Sequence, residues 1–124
     1  MTFKKDTTFL TGRLKSINFA AIGAYKLITT EHSIIVQISI GILMVVAGFY
    51  FEISTTEWLF QTIAIGMVIS VEALNTAIEK LSDFIHPEYH KKIGFIKDIS
   101  AGAVFFAALT AITIGLIIYI PKLL

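Results

Sequence analysis

VEALNTAIEKLSD, Val71–Asp83, places two glutamates, an asparagine and an aspartate directly after an uncharged run, Trp58–Val71, with no Gly or Pro between the two. At about 100° per residue, Glu72, Asn75, Glu79 and Asp83 share one face of a helix about 100° wide, with Thr76 beside them. Val71, Leu74, Ile78, Leu81 and Phe84 fall elsewhere, so the polar stripe is edged by apolar surface. From Glu72 to Asp83 it spans roughly 16 Å. The whole segment therefore reads as one long helix that is apolar first and polar on one side later.

Composition says what that helix runs through. The chain has 124 residues, of which 56% are hydrophobic and 15% charged, and its mean hydropathy is +0.81. These values suit a membrane protein and not a small water-soluble domain. Between Glu31 and Glu52 lie twenty residues without Lys, Arg, Asp or Glu, and between Asp98 and Lys122 lie twenty-three. Each is long enough to cross ~30 Å of hydrocarbon as a helix. The expected spans are 32–51, 58–80 and 99–120. Ahead of them, Phe9, Leu10, Leu14, Ile17, Ala20, Ala21 and Tyr25 recur at roughly helical spacing among Arg13, Lys15 and Lys26. Residues 1–31 are thus expected to carry an amphipathic helix on the bilayer surface. The expected fold is all-α: this surface helix plus three transmembrane helices in a single domain, 1–124, with no internal repeat.

A net charge of +1 argues against nucleic acid as a partner, which would require clustered excess Lys and Arg. With no cysteine there is neither a disulfide framework nor a thiolate metal site. The start, MTFKKDTTFL, has no apolar core of a leader, so no removed signal peptide is expected. Nine of the ten cations precede the first span or lie between the second and third. The positive-inside rule makes that side cytoplasmic, with the amino end inside and the carboxyl end outside.

Carboxylates within a span are costly, roughly 2.5–3.5 kcal/mol for Asp at a helix centre, and normally face protein, pair, or mark a functional path. Glu72 is the deepest and has the most apolar surroundings, which makes it the candidate general base. Mg²⁺ suits a site of one or two carboxylates plus phosphate oxygens. Glu31, at the start of the first span, and Glu79, about two turns from Glu72, can reach one ion if their helices pack together. Lys97 and Asp98 stand at the same level on the third span. Carboxylates, a lysine and a base in one plane suit phosphoryl transfer onto a lipid hydroxyl. Two other readings use the same acids: a proton relay in a transporter or channel subunit, and a scaffold for partner helices. A relay would place ionisable groups through both bilayer halves, whereas the outer half of each span has none.

EALNTAIEKLSD closely resembles the signature of the small prokaryotic diacylglycerol kinase family, whose members include undecaprenol kinases. The three-span layout, Glu88–His90, the spacing to Lys97 and Asp98, and Gly23 followed eight positions later by Glu31 extend the likeness over nearly the whole chain. The resemblance implies a homotrimer in the bacterial cytoplasmic (inner) membrane, with active sites shared between neighbours at the cytoplasmic side. It implies Glu72 as catalytic base, Glu31 and Glu79 as Mg²⁺ ligands, and Lys97 with Asp98 on the phosphates of ATP. Asn75 belongs to the same cluster, and Asp83, Glu88 and His90 flank the nucleotide. Arg13 resembles a nucleotide-contacting arginine, displaced by one position relative to some members, and Phe19 stands where some have tyrosine. The acceptor is a lipid alcohol, diacylglycerol or undecaprenol. KKIGFIKDISAGAV leans to the undecaprenol branch, and Glu88–His90 to the other. Neither a G-x-x-x-x-G-K-[ST] loop nor a protein-kinase H-R-D or D-F-G set is present.

Three further features read as structural. His86 and His90 are four apart but flank Pro87 in a loop. Gly102, Ala101, Ala103, Ala107, Ala108 and Ala111 form a small-residue face suited to close helix packing. Trp58 and Tyr119 are expected to act as aromatic-belt anchors at the outer interface.

Overall fold

The computed structural model describes residues 8–124; Lys4 and Lys5, part of the charge asymmetry, lie outside them. The described chain forms four helices, α1 (Phe9–Thr30), α2 (His32–Tyr50), α3 (Thr55–Ile85) and α4 (Lys91–Leu123), and among the described residues there is no strand. Three of them, α2, α3 and α4, are long and apolar enough to cross a membrane.

Local chemistry sets the ends. Thr8 caps α1 by accepting from the Thr11 N–H. Glu31 is at once the residue after α1 and the residue before α2, and its extended backbone breaks the helix between them. The turn after α2 reverses through Glu52, whose φ of 51° is in the left-handed region. α3 starts at Thr55, three residues earlier than the expected span. The reason is a capping box, in which the Ser54 hydroxyl accepts from the Glu57 N–H and the Glu57 carboxylate accepts from the Ser54 N–H. α4 starts at Lys91, with the His90 ring nitrogen capping the Lys92 N–H at 3.1 Å, and continues past Pro121 to Leu123.

At 1.5 Å per residue, α2 is ~28 Å long, α3 ~46 Å and α4 ~50 Å. α2 just matches a hydrocarbon core. α3 begins beside the end of α2, so its surplus length, paired with the start of α4, runs on past Glu31. α3 packs chiefly against α4 and also against α2, while α1 lies against α2. α1 buries none of its side chains.

The end bearing the 51–54 turn carries the core. Ile53, Ile118 and Tyr119 are buried there, with Met44, Phe51, Trp58 and Ile114 packed around them. Tyr119 is not an interfacial anchor as expected. It is buried, its hydroxyl donates to Gln61 Oε1 at 2.5 Å, and the Gln61 amide donates to the Met44 carbonyl at 3.0 Å. One hydrogen-bonded chain thus joins α4, α3 and α2, because amide and phenol groups sunk among apolar side chains need partners. Trp58 wedges over Gly48, where an added Cβ would sit 2.6 Å from its ring. The expected small-residue packing on α4 is only partly realised: Ala107 is buried, but Ala101 and Ala103 are exposed and the space around Gly102 is open. The close approaches are instead on α2, at Gly48 and at Gly41 against Ile65. An apolar cavity of about 630 Å³ opens between α2, α3 and α4, lined among others by Gly41, Met44, Val68 and Ala111.

Overpacking at Gly48 costs about 1–3 kcal/mol, and loss of one such hydrogen bond about 0.5–1.5 kcal/mol. Gly48→Ala is therefore expected to unfold at lower SDS fraction than Tyr119→Phe, and both below the parent, in a micelle titration followed by circular dichroism.

Candidate functional site

The polar face of α3 turns inward as it passes Glu72. Glu72, Asn75 and Thr76 are all buried, with relative exposures of 9%, 8% and 6%. One and two turns later Glu79 and Asp83, on the same face, are exposed. The stripe therefore begins inside the helix packing and emerges at the end of α3. The Asn75 amide donates to Glu79 Oε1 at 3.3 Å, linking the buried part to the exposed part. Asn75 Oδ1 is buried without a hydrogen-bond partner. An orphaned buried acceptor is costly, and this one sits beside a carboxylate.

Ion pairs mark the two ends of the bundle. At one end Lys80 Nζ lies 3.1 Å from Glu31 Oε1, joining α3 to the start of α2, and Lys97 pairs with Asp83, joining α4 to α3. At the other end Lys122 lies 3.1 Å from Glu57. Among the described residues these are the ion pairs, and none involves Glu72. Glu31, Glu79, Lys80, Asp83 and Lys97 thus gather at one end, as the spacing predicts, with Glu72 buried beneath them. Glu31, although it precedes α2, makes no side-chain cap to that helix.

The remaining sequence-derived residues lie around this group. Asp98 is exposed on α4 next to Lys97. Glu88 and His90 are exposed in the α3–α4 loop, where His86 Nδ1 lies 2.7 Å from the Glu88 carbonyl. The His86 and His90 rings meet edge to face at 5.2 Å, with Nδ1 of each already engaged by the backbone. Arg13 and Phe19 are exposed on α1, Arg13 over the Phe9 ring at 5.5 Å. Along the axis of α1 they stand ~27 Å and ~18 Å from Glu31, so one chain does not bring them to the cluster.

Three buried polar residues escaped the sequence reading: Gln61, Ser82 and Ser100. Two had a signal. Gln61 falls at about the same angle as Glu79, and Ser82 borders Asn75 at the stripe's edge. Ser100 follows Lys97 by one turn of α4 and had no comparable sign.

No three His, Cys, Asp or Glu side chains converge as a metal set among the described residues. A hard divalent ion does not need three when phosphate oxygens complete its shell. Glu79, the orphaned Asn75 oxygen beside it, and Glu31 at the same end are oxygen donors of the kind Mg²⁺ prefers, so the residues fit that ion.

Residues 18–119 match the family described as Prokaryotic diacylglycerol kinase. The chain is 36% identical over 109 residues to an undecaprenol kinase of Bacillus subtilis, covering 88% of this chain and 89% of that protein. It is 27% identical to a diacylglycerol kinase of Synechocystis sp., covering 90% of this chain and 64% of the relative. It is 32% identical over 71 residues to a diacylglycerol kinase of Escherichia coli, covering 57% and 58%. With the family match spanning residues 18–119 and 36% identity to a lipid kinase over 88% of its length, the chain belongs to the prokaryotic diacylglycerol kinase family and is a lipid kinase.

Proposed function

We propose that the protein transfers the γ-phosphate of ATP to the primary hydroxyl of undecaprenol, with diacylglycerol as the alternative acceptor, giving undecaprenyl phosphate or phosphatidic acid. The observation that carries this reading is the polar face of α3, buried at Glu72, Asn75 and Thr76 and open at Glu79, at the end where the Lys80–Glu31 and Lys97–Asp83 pairs gather. Support for undecaprenol comes from the undecaprenol kinase of Bacillus subtilis, similar over 88% of this chain.

In this reading Glu72 accepts the hydroxyl proton as the lipid oxygen attacks the γ-phosphorus; the bond from that phosphorus to the bridging oxygen breaks, and ADP departs. Among the described residues no ion pair engages Glu72, so its oxygens are not tied to a lysine when the hydroxyl arrives. Glu31 and Glu79 hold Mg²⁺, which neutralises charge on the phosphate oxygens when bound. Lys97 reads the phosphates once Asp83 yields it, with Asp98 beside it, and Asn75 orients Glu79 through its amide. Asp83, Glu88 and His90 border the nucleotide, and Arg13 and Phe19 approach it from a neighbouring copy. The lipid tail lies along the apolar surfaces of the spans.

The chain acts as one domain, 1–124, in the bacterial cytoplasmic membrane. Its Glu31 end is cytoplasmic, as the described cations Arg13, Lys15, Lys26, Lys80, Lys91, Lys92 and Lys97 favour. α1 rests on that surface through exposed Phe9, Leu10, Leu14, Ile17 and Tyr25. Three copies assemble, which would cover the apolar flanks of the spans and complete each site.

Purified protein, Mg²⁺ and γ-labelled ATP should place label on undecaprenol faster than on diacylglycerol in mixed micelles. Glu72→Gln is expected to abolish that transfer, by at least about a hundredfold, while ATP still protects the protein from heat. Glu79→Gln should instead raise the Mg²⁺ concentration needed for half-maximal rate. Unchanged lipid phosphorylation in both variants would contradict these roles. Limited lysine cross-linking in micelles should end at a three-subunit band.

A further inference from the structure

Glu31 has a charge problem that the fold answers in an unusual way. Its side chain is only 21% exposed, so its carboxylate needs a counter-charge. Standing before α2, it has orphan helix N–H groups within reach, yet it caps none of them. Its Oε1 instead receives Lys80 Nζ at 3.1 Å. Side chains of a helix lean toward its N-terminus, so Lys80, near the protruding end of α3, reaches back to the level of Glu31. Its own side chain is 68% exposed, at the opposite extreme from its partner.

Those two exposures decide what the pair can do. An ammonium group on a long, solvated tether contributes little net binding energy and is easily displaced. It is nevertheless close enough to neutralise Glu31. A divalent ion and an ammonium group cannot both occupy that oxygen, and with Lys80 in place an incoming cation also meets its positive charge.

We propose that Lys80 is a tethered counter-cation for Glu31 that competes with the divalent ion for this carboxylate, so that metal loading requires Lys80 to swing out toward solvent. Lys80 is thus a positioning residue: it holds Glu31 in place while the metal is absent and sets how much metal is needed to replace it. This inference rests on the reading of Glu31 as a metal ligand.

Mn²⁺ binding to the full chain in detergent micelles without nucleotide, followed by the loss of the free-ion paramagnetic resonance signal, separates the two claims. Lys80→Ala and Lys80→Gln are each expected to bind Mn²⁺ about two- to fivefold more tightly than the parent, in keeping with an exposed ion pair. Lys80→Arg should stay within about twofold of the parent, because it keeps the cation. Glu31→Gln should weaken binding by at least about tenfold. Equal affinity in the parent and both neutral Lys80 variants, or no binding by any of them, overturns the role given to Lys80. If binding is still lost in Glu31→Gln, the ligand role of Glu31 stands without it. Unaltered Mn²⁺ binding by Glu31→Gln removes both.

Discussion

A carboxylate carried by a membrane-length helix cannot face hydrocarbon, and the arrangement of this bundle follows from that constraint. α3 has to turn the face bearing Glu72, Asn75 and Thr76 toward protein, and all three are buried. The same rotation brings Gln61, on the same face nearly three helical turns earlier, inward to meet Tyr119 and Met44. One orientation of one helix therefore sets both the polar lock at the 51–54 end and the acidic site at the other.

Among the described residues both ends carry ion pairs, but only one carries a neutral polar lock. Near the 51–54 turn, neutral groups donate and accept within an apolar cluster, next to a tryptophan seated on a glycine, with the Lys122–Glu57 pair beside them. Such contacts are short-range and specific, and they hold the three helices in register. At the Glu31 end the ties between helices are ion pairs with one well-exposed partner each, Lys80 paired with Glu31 and Asp83 paired with Lys97. Pairs of this kind are weak and exchangeable. The surplus length of α3 and α4 over α2 carries Asp83 and Lys97 past the level at which α2 begins.

Much of this was legible in the order of residues. Charge-free runs of about 20 residues or more are rare unless lipid surrounds them, so α2 and α4 could be found without coordinates, while α3, with only Trp58–Val71 uncharged, was read from a run that continues into the polar stripe without Gly or Pro between them. Helical periodicity put Glu72, Asn75, Glu79 and Asp83 on one face, because the angle between residues on a helix depends only on their separation. Helix ends were harder. Ser54 and Glu57 form a capping box that starts α3 within what hydropathy marks as loop, and hydropathy does not register hydrogen bonds.

Long-range pairing was not legible. Glu31 and Lys97 could be placed near span starts from their position in the sequence, but which lysine answers which acid depends on the relative rotation of α2, α3 and α4, and that rotation is set by packing. Tyr119 shows the same limit: its composition suits a membrane interface, yet its partner is Gln61, 58 residues away. Helix existence, helix facing and the chemical character of the site are properties of single segments, written along the chain. Which carboxylates remain covered, which are held by lysines and which acceptor is left unpaired arise between segments, and required the packed bundle to appear.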